Sequence, residues 1–286
     1  MPPSSRTMQA RGPARRSARW STVVGIGLVA VYLFPIYWMV TASVKTQPAI
    51  RAVPPQIVPI DIDLSSWMDR VFGDPRVLRY IFNSFVVATG TMVLTLALAA
   101  PAAYALAKLR LRGKSLLMTL SLSSLMFPAI MLATPLFVIF GRLGLTDSYI
   151  GLILADTTLA LPYAIVLLRP TFARIPKEFS EAARIDGCSE FGAFLRVIVP
   201  LARPGLATVA VLAFLWGWGD LVFALTLATE DSMRPVTTGL WGFFGANTSD
   251  WGGAMAFSTL AMLPPLIVFL WSQRLVVAGV TAGGIK

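Results

Sequence analysis

The chain has 286 residues, 56% of them hydrophobic and only 13% charged, with a formal net charge of +10 and a mean hydropathy of +0.72. Soluble domains carry about 25% charge, so this composition describes an integral membrane protein and excludes an ordinary soluble enzyme. There is no histidine and one cysteine, Cys188, which excludes a Cys/His zinc site, an intramolecular disulfide and any triad built on histidine.

A membrane-crossing helix needs about 20 mostly apolar residues. Six stretches meet that length, roughly 21–44, 81–107, 115–140, 149–168, 205–229 and 252–273, and together predict an all-α membrane fold. Residues 1–20 read as a basic tail carrying Arg6, Arg11, Arg15, Arg16 and Arg19, and 21–286 as one transmembrane unit. The first stretch, STVVGIGLVAVYLFPIYWMVTASV, competes with a secretory signal peptide. It outruns a signal core of about 7–15 apolar residues and ends in Tyr37 and Trp38, so an uncleaved anchor is expected.

The connection at 45–80 begins AVPPQIVPIDID and turns acidic at Asp61, Asp63, Asp69 and Asp74. Proline favours an extended start, and a short surface helix is expected around Trp67. In the second stretch Asn83 and Ser84 are expected to hydrogen-bond across helices. The string RGKS at 112–115 suggests a phosphate loop, but that motif needs glycine where Lys108 stands and a strand before it. A plain turn is predicted there. Pro128, Pro162 and the Pro264–Pro265 pair predict kinks.

With the N-terminus inside, the inner segments hold the five tail arginines; Lys108, Arg110, Arg112 and Lys114; Arg169, Arg174, Lys177, Arg184, Arg196 and Arg203; and Arg274 with Lys286. Only Lys45, Arg51, Arg70, Arg76, Arg79, Arg142 and Arg234 lie outside. That asymmetry predicts cytoplasmic termini in a multi-pass protein of the cytoplasmic membrane. The positive charge then reports topology and attraction to anionic lipid, with no nucleic-acid footprint.

Asp156 and Asp220 lie within apolar stretches, where a charge costs at least about 2.5–3.5 kcal/mol. Either they line a wet solute path with Trp216 and Trp218 as stacking faces, or they are neutral or hydrogen-bonded among packed helices. Both readings stand at this level.

The run at 172–203 is different in kind. In FARIPKEFSEAARIDG, Pro176 and the acids Glu178 and Glu181 mark a helix start, and Gly187 suits its left-handed end. Ser189 is placed to cap a second helix, EFGAFLRVIV, that stops at Pro200. Phe179, Ala182, Ala183 and Asp186 recur at helical spacing on one side of the first helix. A helix–turn–helix that docks a partner and an amphipathic hairpin resting on lipid both fit. Cys188 reads as a small turn residue.

EAARIDGCSEFGAFLRVIVPLARP resembles the EAA loop of bacterial ABC importer permeases: Glu181, Ala182, Ala183, Asp186, Gly187, Phe194, Ile198, Pro200 and Pro204 fall on its pattern, with Cys188 for alanine and Val199 for leucine. YIFNSFVVA at 80–88, LPPLIVFLWSQR at 263–274 and the terminal QRLVVAGVTAGGIK extend the likeness over nearly the whole chain, closest in pattern to the MalG-like carbohydrate permeases. In WGWGDL, Gly219 stands where such permeases carry asparagine before Asp220.

The resemblance implies a non-catalytic permease subunit of an ATP-driven importer. It implies a second homologous permease, two ATPase subunits holding ATP and magnesium, and an extracytoplasmic solute-binding protein. It also implies that a helix spanning about 177–186 couples to an ATPase through Phe179, Glu181, Ala182, Ala183, Asp186 and Gly187. Another solute (glycerol phosphate, a polyamine, an oligopeptide) would keep the architecture. A stand-alone secondary transporter would move solute with this chain alone, and a membrane enzyme would need a nucleophile–base or metal set that the sequence lacks.

Overall fold

A computed structural model describes the backbone of residues 14–244 and 249–284 and the side chains of 22–244 and 249–273. The five arginines of the tail and the terminal segment from Arg274 that carries part of the family likeness fall outside those side chains. The described residues are helical apart from turns, loops and one isolated bridge between Phe244 and Ser249.

Four helices are long and apolar enough to cross a bilayer: α1, Ala14–Ala42; α2, Pro75–Lys108; α5, Tyr149–Arg174; and α10, Trp251–Gly284. The predicted stretch 115–140 is instead two helices, α3 (Lys114–Ser124) and α4 (Ala129–Leu143), bent by 97°. The break falls at Pro128, whose ψ of 136° is extended, so the expected kink is a full interruption. RGKS is the turn before α3, with Gly113 at φ 79°. Pro162 and the Pro264–Pro265 pair lie inside helices that run through them.

The predicted stretch 205–229 is also interrupted. Helix α6 (Glu178–Ile185) is followed by α7 (Glu190–Leu201), which meets α8 (Arg203–Gly219) at 82°. Helix α8 stops at Gly219, and α9 (Val222–Leu227) begins after Asp220. Among the described residues, four helices are thus long and apolar enough to cross, or up to six if each bent pair counts as one span.

Helices α2, α5 and α8 form the centre. At one end Ala99, Ala103 and Ala164 are buried with Leu168, Phe172, Phe194 and Ile198; alanine lets backbones approach where lipid gives no hydrophobic drive. Gly217 serves the same end: a side chain there would meet Ala88 Cα at 3.1 Å and Thr91 Oγ1 at 3.2 Å. Helix α1 is mostly exposed from Thr22 to Val40, as a lipid-facing or partner-facing helix should be. Its C-terminal end is tied to the following loop, where Tyr37 Oη donates to Ile57 O (3.1 Å), Trp67 Nε1 donates to Ser43 Oγ (3.2 Å), and Lys45 Nζ donates to Gln56 O and stacks over Trp38. Trp67 itself lies in the short helix Ser66–Phe72, as the sequence led one to expect.

Candidate functional site: a braced loop with a bare face

The segment leaving α5 is built by capping. Helix α6 closes with Gly187 at φ 89°, the left-handed region that side chains disfavour. Gly187 N–H donates to Arg184 O (3.1 Å) and Cys188 N–H to Ala183 O (2.9 Å), the paired bonds of a Schellman turn. Ser189 Oγ then accepts from Gly192 N–H (3.1 Å) and opens α7. Arg184 and Glu190 form an exposed ion pair across the turn at 3.3 Å, of small energetic weight.

One side of this segment is buried and the other bare. Ala193, Phe194 and Ile198 of α7 are buried in the α2–α5 core, and Ala183 of α6 is buried as well. On the free side Phe179 is 46% exposed, Ile185 86% and Phe191 66%. Glu181, Ala182, Asp186 and Gly187 are exposed too, and the two carboxylates pair with no described residue. Of the residues that the resemblance assigns to coupling, Ala183 is the buried one among Phe179, Glu181, Ala182, Ala183, Asp186 and Gly187. The exposed apolar residues of the same segment include two outside that set, Ile185 and Phe191, whose apolar character on an otherwise polar turn was the available signal.

The four residues considered for a solute path are not brought together on one surface. Asp156 is 1% exposed, with its Oδ1 lacking a described partner. Trp218 is 7% exposed and stacked on Phe214 at 5.8 Å. Both are packed among helices in this conformation. Asp220 Oδ2 accepts from Ala224 N–H (2.9 Å) and so caps α9, a structural task. Trp216 is 44% exposed. A side chain at Gly219 would meet nothing within 4 Å, so the position that departs from the EAA-permease pattern is open, not crowded.

Asn83 and Ser84 do bond across the structure. Asn83 Nδ2 donates to Ser232 O (2.9 Å) and Arg234 O (3.0 Å), and its Oδ1 accepts from Tyr149 Oη (2.7 Å). Ser84 Oγ accepts from Val236 N–H at 2.8 Å. Both residues are fully buried and hold the irregular segment 229–238 at the end of the bundle opposite the loop. At that end a polar cleft of about 1070 Å³ opens, bounded by the Arg70–Asp250, Arg76–Asp74 and Arg234–Asp231 ion pairs. The Arg76 side chain holds the Asp74 carboxyl below the usual carboxylate range.

A helical membrane bundle carrying a braced loop with an apolar, unpartnered face is the architecture of a transport subunit that works with other chains. Residues 96–282 match the family described as binding-protein-dependent transport system inner membrane component, and the chain belongs to that family. It is 36% identical to the trehalose transport system permease protein SugB of Mycobacterium tuberculosis, over 96% of this chain and 99% of that one. It is 35% identical to the sulfoquinovosyl glycerol transport system permease protein SmoH of Agrobacterium fabrum, over 89% of each. Among solved structures, a chain of a bacterial ABC transporter involved in the import of the acidic polysaccharide alginate superposes with a TM-score of 0.78, at 25% identity over 96% and 99% of the two chains. The protein is a membrane-embedded permease subunit of a binding-protein-dependent ABC transporter.

Proposed function

We propose that this permease imports a carbohydrate, pairs with a second homologous permease, and takes its power from two ATPase subunits, one of them seated on α6. The sugar-related solutes named for both relatives support the substrate class. The observation that carries the coupling role is the bare face of the loop. Phe179, Ile185 and Phe191 present apolar surface beside the unpaired carboxylates of Glu181 and Asp186, while Ala183, Phe194 and Ile198 lock the other side to the bundle. An aromatic anchor amid polar groups is how a protein partner is gripped. The EAA pattern favours an ATPase over a lipid surface, and a loop rich in Lys and Arg favours the cytoplasmic side. ATP and magnesium are assigned to those partners, leaving this chain non-catalytic.

In this orientation the cleft bounded by Asp74, Asp231 and Asp250 faces outward, where a solute-binding protein would arrive. Trp216 and Asp220 are assigned to the path shared with the second permease, Trp216 being 44% exposed on this chain. The 82° elbow between α7 and α8 links the loop directly to that path, so tilting the loop swings α8. Gentle detergent extraction of this chain from its native membrane is expected to bring down a nucleotide-binding subunit and a second permease. Recovery of a monomer that transports solute by itself would overturn the proposal in favour of a secondary transporter.

A further inference from the structure

Lys108 ends α2, and as a sequence feature it is one more positive charge in an inner turn. The structure gives it a specific partner far along the chain. Its Nζ donates to Ala173 O at 3.0 Å and to Ile175 O. These carbonyls belong to the last turn and C-cap of α5, where main-chain acceptors are left without helical donors and a cation is favoured. Two residues further on, Lys177 is the N-cap of α6. The ammonium therefore sits on the hinge through which the loop leaves the bundle.

A second contact set lies directly beneath. Tyr104, one helical turn before Lys108, packs on Phe172 of α5 (5.8 Å between ring centres) and on Phe194 of α7 (5.1 Å), and Phe172 and Phe194 lie 6.2 Å apart. The aromatic cluster fixes α7. Helix α6 is held by its caps, by buried Ala183 and by the exposed Arg184–Glu190 pair, so its angle depends strongly on how α5 ends.

We infer that Lys108 is a positioning residue for the loop: by clamping the C-terminal carbonyls of α5 it fixes the direction of α6 and keeps the exposed side of α6 ready for its partner. The inference rests on the coupling role proposed above. Without the clamp, α6 is seated only after being ordered on contact, and the partner leaves faster.

The test uses the full transporter purified with its own ATPase subunits, in three variants. Hydrogen–deuterium exchange of amides 178–188 reads local order, and loss of ATPase subunits after dilution reads the seat. Lys108→Met is expected to speed both by about tenfold, the weight of a charged hydrogen bond, with the global melting temperature unchanged. Lys108→Arg, which also carries several donors, is expected to restore both. Wild-type exchange and dissociation in Lys108→Met would overturn the inference, as would a Lys108→Arg variant as impaired as the methionine. Ile185→Glu separates the two levels of the argument. It should release the ATPase subunits while exchange at 178–188 in the free chain stays normal; if the subunits stay bound, the docking role itself is wrong, whatever Lys108 does.

Discussion

Replacing Gly187 with valine is expected to abolish ATP-driven transport, whereas Gly187→Asn retains most of it. Gly187 has φ 89°, and a side chain there meets no atom within 4 Å, so the effect isolates backbone conformation from crowding. For most L-residues the left-handed region costs about 1–2 kcal/mol, and for β-branched residues it is a genuine outlier; asparagine tolerates it. Valine would push the turn into another conformation, breaking the Gly187–Arg184 and Cys188–Ala183 bonds that close α6. Helix α6 then loses its end and the seat its shape. Uptake by vesicles holding the complete transporter, compared across Gly, Asn, Ala and Val, should fall in that order. Equal loss for Asn and Val would show that the partner touches this position directly and that strain is not the cause.

The second large effect is expected at the far end of the bundle, on stability. Asn83→Leu removes one acceptor and two donated hydrogen bonds at a fully buried position. It strands Tyr149 Oη and the carbonyls of Ser232 and Arg234. Buried unpaired polar groups cost about 1–3 kcal/mol each, so a loss of about 3 kcal/mol is a conservative expectation. Thermal unfolding of the purified protein in detergent reads it as a marked fall in Tm. An unchanged Tm would mean that solvent satisfies the segment 229–238 without Asn83.

These two positions show how unevenly the fold was legible. Gly187 announced itself because only glycine suits a left-handed helix end, and the acids before it and Ser189 after it supplied the flanking caps. Asn83 could be flagged as polar in an apolar run, but not given partners that lie about 150 residues downstream in an irregular segment. The apolar runs located all four continuous crossing helices, since hydropathy records burial in lipid. Hydropathy is blind to backbone breaks, so the interruptions at Pro128 and at Asp220 were passed over, although a proline and an intrahelical carboxylate marked both places.

The candidate site was legible where it depends on local capping and hidden where it depends on packing. Helical spacing grouped Ala183 with Phe179, Ala182 and Asp186 on one side of α6; Ala183 is buried while the other three are exposed, and only tertiary structure decides that. Ile185 and Phe191 were readable as apolar residues on a polar turn. Lys108 was not, because its carbonyl acceptors stand 65 and 67 residues away. Asp220 could be flagged as an intramembrane carboxylate, but its bond from Ala224 N–H depends on the helix break that hydropathy does not record.

Solute accumulation in proteoliposomes, with the purified chain alone and with its copurified subunits, tests the central claim most directly. Uptake is expected only from the complete assembly, only with ATP inside the cytoplasm-equivalent compartment, and only with the binding protein on the other side. Uptake by this chain alone, or by the assembly without ATP, would contradict an ATP-coupled permease.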